Sequence, residues 1–413
     1  MGTIAEELRE LTKAVLDNTG GGSASVEKHI YGVRWAYATS DEDVQYLETS
    51  GVRTDEAADF ADPVSYVHGE DQEQEIVNRL ACGSPFDDLY PWNGMVPYMD
   101  ILMGSMVAIP KFYYKWTKTD DYLQLQVATY AADGFSVSPA HMDRGDGNGE
   151  RDVVYIARYH GEQTALQSLP GFAPARGATR AAMRLAISSS QTDAGVEGYS
   201  LQDYAMFWTW RMLYLVEYAN WNGQAMIGYG TGNNNGDGTE DPGEQTAPYN
   251  NGTTDQMVYH TGTMQTSKST PGQGVQYRWI EDPWGGVAEW IDGWYMASDS
   301  QTGEEHSCVI LNPANFSDTE GGIEIYRGTE ASSGWIVDWE IPAADGCEWA
   351  LIPIASNSTG SDASVADFCE FGGPALSCGG VWGADPSYGP FCLVSFGAWS
   401  ADSHFGARLQ KLP

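Results

Sequence analysis

The sequence predicts an α+β fold: a sheet-rich domain with long loops and few helices, preceded by one short N-terminal helix. Three observations carry this. From Ile30 onward the chain is cut into short β-prone stretches by Gly, Asn and Pro. Only residues 179–187 and 201–218 have sustained helical spacing in that part. Of the 413 residues, 42% are hydrophobic and 19% charged, so a sizeable core can be buried beneath a surface of short polar and aromatic side chains.

At the N-terminus, Ile4, Leu8, Leu11 and Val15 keep 4-3-4 spacing and form an a/d seam along residues 4–16. A helix that short is marginal alone. It either packs on its own domain or joins copies of the protein around an axis, and the Gly20–Ser23 linker that detaches it from the rest of the chain favours the second, as a homotrimer. Residues 1–27 are thus an attachment helix with its linker, and residues 28–413 the main domain. In that domain, residues 30–35, 106–116, 123–128 and 153–159 read as strands. The 201–218 segment, dense around Phe207, Trp208, Leu213, Leu215 and Val216, is apolar nearly all round and should be deeply buried. Residues 228–277 form a long loop rich in Gly, Asn and Thr, with strands and Gly-rich turns after it. No fixed-period repeat or stalk interrupts 30–413, and helices packed on mainly antiparallel sheet fit best.

Charge narrows the function. Lys+Arg number 21 against Asp+Glu 57, a formal net charge of −36. That field repels phosphate backbones and anionic lipid, so no nucleic-acid partner and no membrane insertion are expected. No stretch approaches the ~20 apolar residues of a spanning helix. The opening residues are acidic where a signal peptide is basic, which predicts synthesis in a cytoplasm without that export route. Six Cys without a Cys-x-x-Cys pair, and seven scattered His, give no metal-ligand spacing.

Few local motifs carry chemistry. The run Gly228–Gly232 lacks the third glycine and the βαβ context of a dinucleotide loop. Two acidic loops, one with Asp143, Asp146, Asn148 and Asp152 and one with Asn233, Asn235 and Asp237, interleave carboxylates, amides and glycines. Each reads either as a calcium loop or as an Asx-rich turn bonded to its own backbone. Otherwise no cofactor is expected.

Five blocks in order, Tyr31–Trp35, Ile109–Trp116, Leu213–Asn220, Tyr277–Gly286 and Phe405–Leu409, resemble a family of tail-tip and receptor-binding proteins of gut phages and prophages. The resemblance implies a C-type-lectin-like fold of the formylglycine-generating-enzyme type over residues 28–413. Gly285–Trp290 is similar to the Gly-Asn-Val-Trp-Glu-Trp block of that group, with Gly286 and Ala288 as departures. Where the enzymes of the group carry cysteines, Ala384 and Gly389 stand by position, which implies the fold without the oxidase chemistry.

Residues 378–409 are also similar to the C-terminal cassette of variable proteins from diversity-generating retroelements. Matched by position, the fixed scaffold is Gly379, Gly380, Trp382, Gly389, Phe391, Leu393, Gly406, Arg408 and Leu409. The exposed, exchangeable, ligand-contacting set is Gly383, Ala384, Ser387, Tyr388, Cys392, Val394, Phe396, Gly397, Trp399, Asp402 and His404. Residues 394–405 keep no helix or strand period and mix large aromatics with tiny residues, as binding faces do, the alternative being a core loop filled by Phe396, Trp399 and Phe405. The expected function is non-enzymatic attachment of a phage virion, at its tail tip, to a protein or glycan receptor on a bacterial surface, alongside other tail proteins. A polysaccharide-degrading tail enzyme and a purely structural virion protein are the alternatives.

Overall fold

A computed structural model of the chain describes residues 27–39, 45–230, 248–266, 274–298, 305–327, 333–357, 367–380 and 388–413. These contain three helices longer than one turn, α1 (Gln72–Ala81), α2 (Arg180–Ala194) and α3 (Tyr204–Tyr218), and strands gathered into five sheets. The fold is α+β with sheet predominating. The N-terminal seam of Ile4, Leu8, Leu11 and Val15 lies outside the described residues.

Helix α3 organises the core. Every one of its fifteen side chains is buried, as its all-round apolarity predicts. Trp208 meets Trp116, Trp339 and Phe391, and Tyr214 meets Tyr277 and Phe391. Both of its charged residues have buried hydrogen-bond partners. Glu217 accepts two hydrogen bonds from Arg278 at 2.7 and 2.8 Å, and Arg211 donates to the carbonyls of Phe207 and Pro390. The hydrophobic cluster around α3 includes residues from Tyr31 to Leu412, so both ends of the described chain share one core.

The expected start of α3 at 201 is corrected to 204. Asp203 caps the helix by accepting from the Met206 N–H at 2.8 Å, while Tyr199–Leu201 pairs as a strand with Leu409–Lys411. The 106–116 stretch divides into Gly104–Pro110 and Tyr113–Lys118, in different sheets. Pro110 has no N–H to continue the ladder, and Lys111 bonds instead to Asp152. Helix α2 runs past 187 to Ala194, where Gly195 closes it in the left-handed region at φ 65°. Helix α1 is additional to the two helices that the spacing predicts in this domain. It has no buried residue, and Asp71 caps it.

The sheets are mainly antiparallel. The one that matters for the site has seven strands, in the spatial order Ile352–Asn357, Gly334–Glu340, Phe368–Phe371, Leu393–Phe396, Ala375–Cys378, Ala288–Trp290, Phe405–Gly406. Two of its pairings are parallel, Phe368–Phe371 with Leu393–Phe396 and Ala288–Trp290 with Phe405–Gly406. Among the described residues no helix is long and apolar enough to cross a membrane.

Candidate ligand-binding site

Strand pleating brings side chains from distant sequence onto one face of this sheet. Glu370, Val394 and Ser377 stand directly opposite one another on three adjacent strands, with Ala375 beside Phe396. One strand further, Ala288 pairs with Phe405. Phe405 stacks on Trp290 at 4.4 Å and meets the edge of Phe396 at 4.7 Å. An aromatic ridge therefore borders the row that carries Glu370.

Above this face lies a cavity of about 550 Å³, lined by Ala288, Glu370, Ser377, Cys378, Gly380, Tyr388, Cys392, Val394, Phe396, Ser400, Ala401, Asp402, His404 and Phe405. One wall is the loop between the last two strands of the cassette. It turns at Gly397, whose carbonyl accepts from Ser400 at 2.9 Å, and the Trp399 ring folds back over Gly397, leaving no room there for a Cβ. Trp399 is 82% exposed at the rim. Asp402 accepts from the His404 backbone N–H and pairs with the His404 ring. These contacts hold the Asp402 carboxyl below its ordinary range, the backbone bond contributing most.

Beneath the cavity the scaffold is dry and tied. Asp367 accepts from the Phe391 N–H at 2.7 Å and from the Gly389 N–H at 2.5 Å, fixing the turn that enters the Leu393–Phe396 strand. A Cβ at Gly389 would strike that carboxylate at 2.3 Å. Burial outweighs the two N–H donors and pushes Asp367 up to about 7. Gly380, at φ 66°, lets Tyr388 approach within 2.1 Å of where a Cβ would stand. Arg408 donates to Glu289 at 2.7 Å and to the carbonyls of Ala157, Arg158, Glu281 and Asp282. Burial pushes the Cys378 thiol up to about 12 and Cys392 well above its ordinary value, so both are thiols, not thiolates, at neutral pH.

The structure gathers most of the expected contact set. Tyr388, Cys392, Val394, Phe396, Asp402 and His404 line the cavity, and Gly397 and Trp399 shape its rim. Two members are corrected as to exposure. Cys392 is 1% exposed, because it sits in the Asp367-anchored turn at the cavity floor, and Val394 is flanked by paired strands on both sides. Gly383, Ala384, Ser387 and the scaffold residue Trp382 lie outside the described residues. The other scaffold residues, Gly379, Gly380, Gly389, Phe391, Leu393, Gly406, Arg408 and Leu409, are all buried. Ala288, Glu370, Ser377 and Cys378 are site residues that the sequence alone does not mark. They reach the cavity through strand pairing, for which a single sequence offers no signal.

The first acidic loop takes the form of Asx turns. Asp143 accepts from the Gly145 N–H and Asp146 from the Asn148 N–H, while Asp146 also pairs with Arg151 and Asp152 with Lys111. Among the described residues no three His, Cys, Asp or Glu converge as metal ligands. The second loop, with Asn233, Asn235 and Asp237, lies outside the described residues.

Comparison of the sequence with protein-family models and with curated proteins gives no match.

Proposed function

We propose that this chain is the receptor-binding protein of a phage tail tip, with a C-type-lectin-like fold of the formylglycine-generating type. In this reading its C-terminal cavity and rim hold a receptor on a bacterial surface. The supporting observation is a division of labour. Among the described residues, Tyr388, Cys392, Val394, Phe396, Asp402 and His404, which the cassette resemblance assigns to ligand contact, line one open cavity, while those it assigns to the scaffold are buried. The cavity lies in the size range of small-ligand and side-chain pockets. Trp399, Tyr388 and Phe396 are the residue types that anchor interfaces. Copies joined through residues 4–16, as a homotrimer beside other tail proteins, would multiply weak single-site binding into firm attachment. The virion is the proposed location, and attachment needs no cofactor.

The test replaces Tyr388, Phe396, Trp399 and His404 together by Ser. Trp399 and His404 are exposed, so the stability cost comes mainly from half-buried Tyr388 and Phe396 and should be about 2–3 kcal/mol. The variant should melt cooperatively and lose attachment to host cells. Attachment at wild-type affinity would overturn the reading, and oligosaccharide release from the host surface by the native chain would favour a depolymerase.

A further inference from the structure

The chemistry of the cavity specifies more than its position. Its walls are apolar along Val394, Phe396 and Phe405, and its carboxylates among the described residues, Glu370 and Asp402, are both exposed. No Lys or Arg is among its described lining residues. Arg211 contacts Cys378 from below, fully buried, and Arg176 belongs to a neighbouring loop that does not line the cavity. Among the described lining residues the only basic side chain is His404, which is already paired with Asp402.

The surrounding sequence has the same bias. Between Arg327 and Arg408 there is no Lys or Arg at all, against ten Asp or Glu. The described residues of this stretch therefore bring carboxylates and no Lys or Arg to the sheet around the cavity. Low-dielectric walls lined by one sign of charge concentrate that field and attract the opposite sign.

Resting on the receptor-binding reading above, we propose that the cavity takes a lysine or arginine side chain displayed on a protein receptor. The aliphatic stem would lie along Val394 and Phe396, and the cationic head would reach one of the two carboxylates, Glu370 or Asp402. An aromatic edge or face nearby favours the same ligand. An anionic sugar would meet two carboxylates and a chain of net charge −36 without a compensating cation. An amino sugar would supply the charge, but the hydroxyls on its Val394, Phe396 and Phe405 side would go unpaired, which costs affinity.

Saturation-transfer NMR on the full chain at low ionic strength tests this with five probes. They are Nα-acetyl-lysine methylamide, Nα-acetyl-arginine methylamide, the neutral norleucine analogue, glucosamine and N-acetylneuraminic acid. Both cationic amino-acid probes should bind, compete with each other, and bind up to about fivefold more tightly than norleucine, as one partly exposed ion pair would supply. The preference should fall with added salt. In the Glu370→Gln, Asp402→Asn double variant it should vanish while the melt stays unchanged, because both residues are exposed. Tighter binding of glucosamine or the sugar acid, absence of cationic binding, or an undiminished preference in the double variant would overturn the proposal. Each of those results leaves the receptor-binding reading to its own test, since that reading fails only if the four-fold Ser variant still attaches to host cells.

Discussion

At the scale of the residue, Arg408 shows what a fixed position in this cassette does. Its guanidinium is 1% exposed and spends its donors on Glu289 and four backbone carbonyls from two separate segments, 157–158 and 281–282. It therefore ties the C-terminal strand to two segments that are also joined to each other by the Glu281 N–H donating to the Arg158 carbonyl at 2.8 Å. Replacing Arg408 by Met keeps much of the volume but leaves Glu289 and those carbonyls without their donor. Urea denaturation should show a loss of about 3–5 kcal/mol, the usual cost of breaking a buried charge pair. In the Glu289→Gln, Arg408→Met double variant the loss should be smaller than the sum of the two single losses, since the partners share one network. Arg408 is assignable from sequence because the cassette resemblance places a fixed residue at that position. Cys392 and Val394 are not, because their burial depends on the Asp367-anchored turn and on two strands that pair from 369–371 and 376–378.

At the scale of the element, helix α3 is legible in its burial and not in its start. Apolarity on every face can be read directly from residues 204–218. The strand Tyr199–Leu201 cannot, because its partner Leu409–Lys411 lies some two hundred residues away. The junction falls on Asp203, which does three things at once. One oxygen caps the Met206 N–H, and the other accepts from Arg144 at 2.6 Å and from Gln410 at 2.9 Å. Arg144 is itself 2% exposed. An ordinary cap lost to Ala costs about 1 kcal/mol. Asp203→Ala should cost about 3–5 kcal/mol, because it also strands a buried guanidinium. Thermal and urea unfolding of Asp203→Ala beside Asp71→Ala makes the comparison internal. Asp71 caps α1, has no buried cation to strand, and should show only the smaller loss.

At the scale of the whole molecule, two buried groups, one on either side of the helix α3 core, pull the pH dependence of stability in opposite directions. His141 is held down to about 4, because burial disfavours its charged form. Its contribution is present above its unfolded value of 6.5 and is lost as pH falls toward 4. Asp367 is pushed up to about 7, again by burial, against its two N–H donors. Its contribution is fully present below its unfolded value of 3.8 and is lost as pH rises toward 7. Between about pH 6.5 and 4 acidification therefore removes stability through His141 and adds a similar amount through Asp367. Mutual repulsion in a chain of net charge −36 changes over the same range, so the wild-type profile alone does not separate these effects. The comparison with Asp367→Asn does, because one exchanged carboxyl leaves the rest of the charge field nearly as it was. Urea unfolding of both proteins at intervals from pH 7.5 to 4 should give a variant whose stability falls more steeply on acidification than the wild type. The gap between the two curves should widen by several kcal/mol across that range. Parallel curves would mean that Asp367 is ionised in the folded protein, with its charge carried by the Gly389 and Phe391 N–H groups.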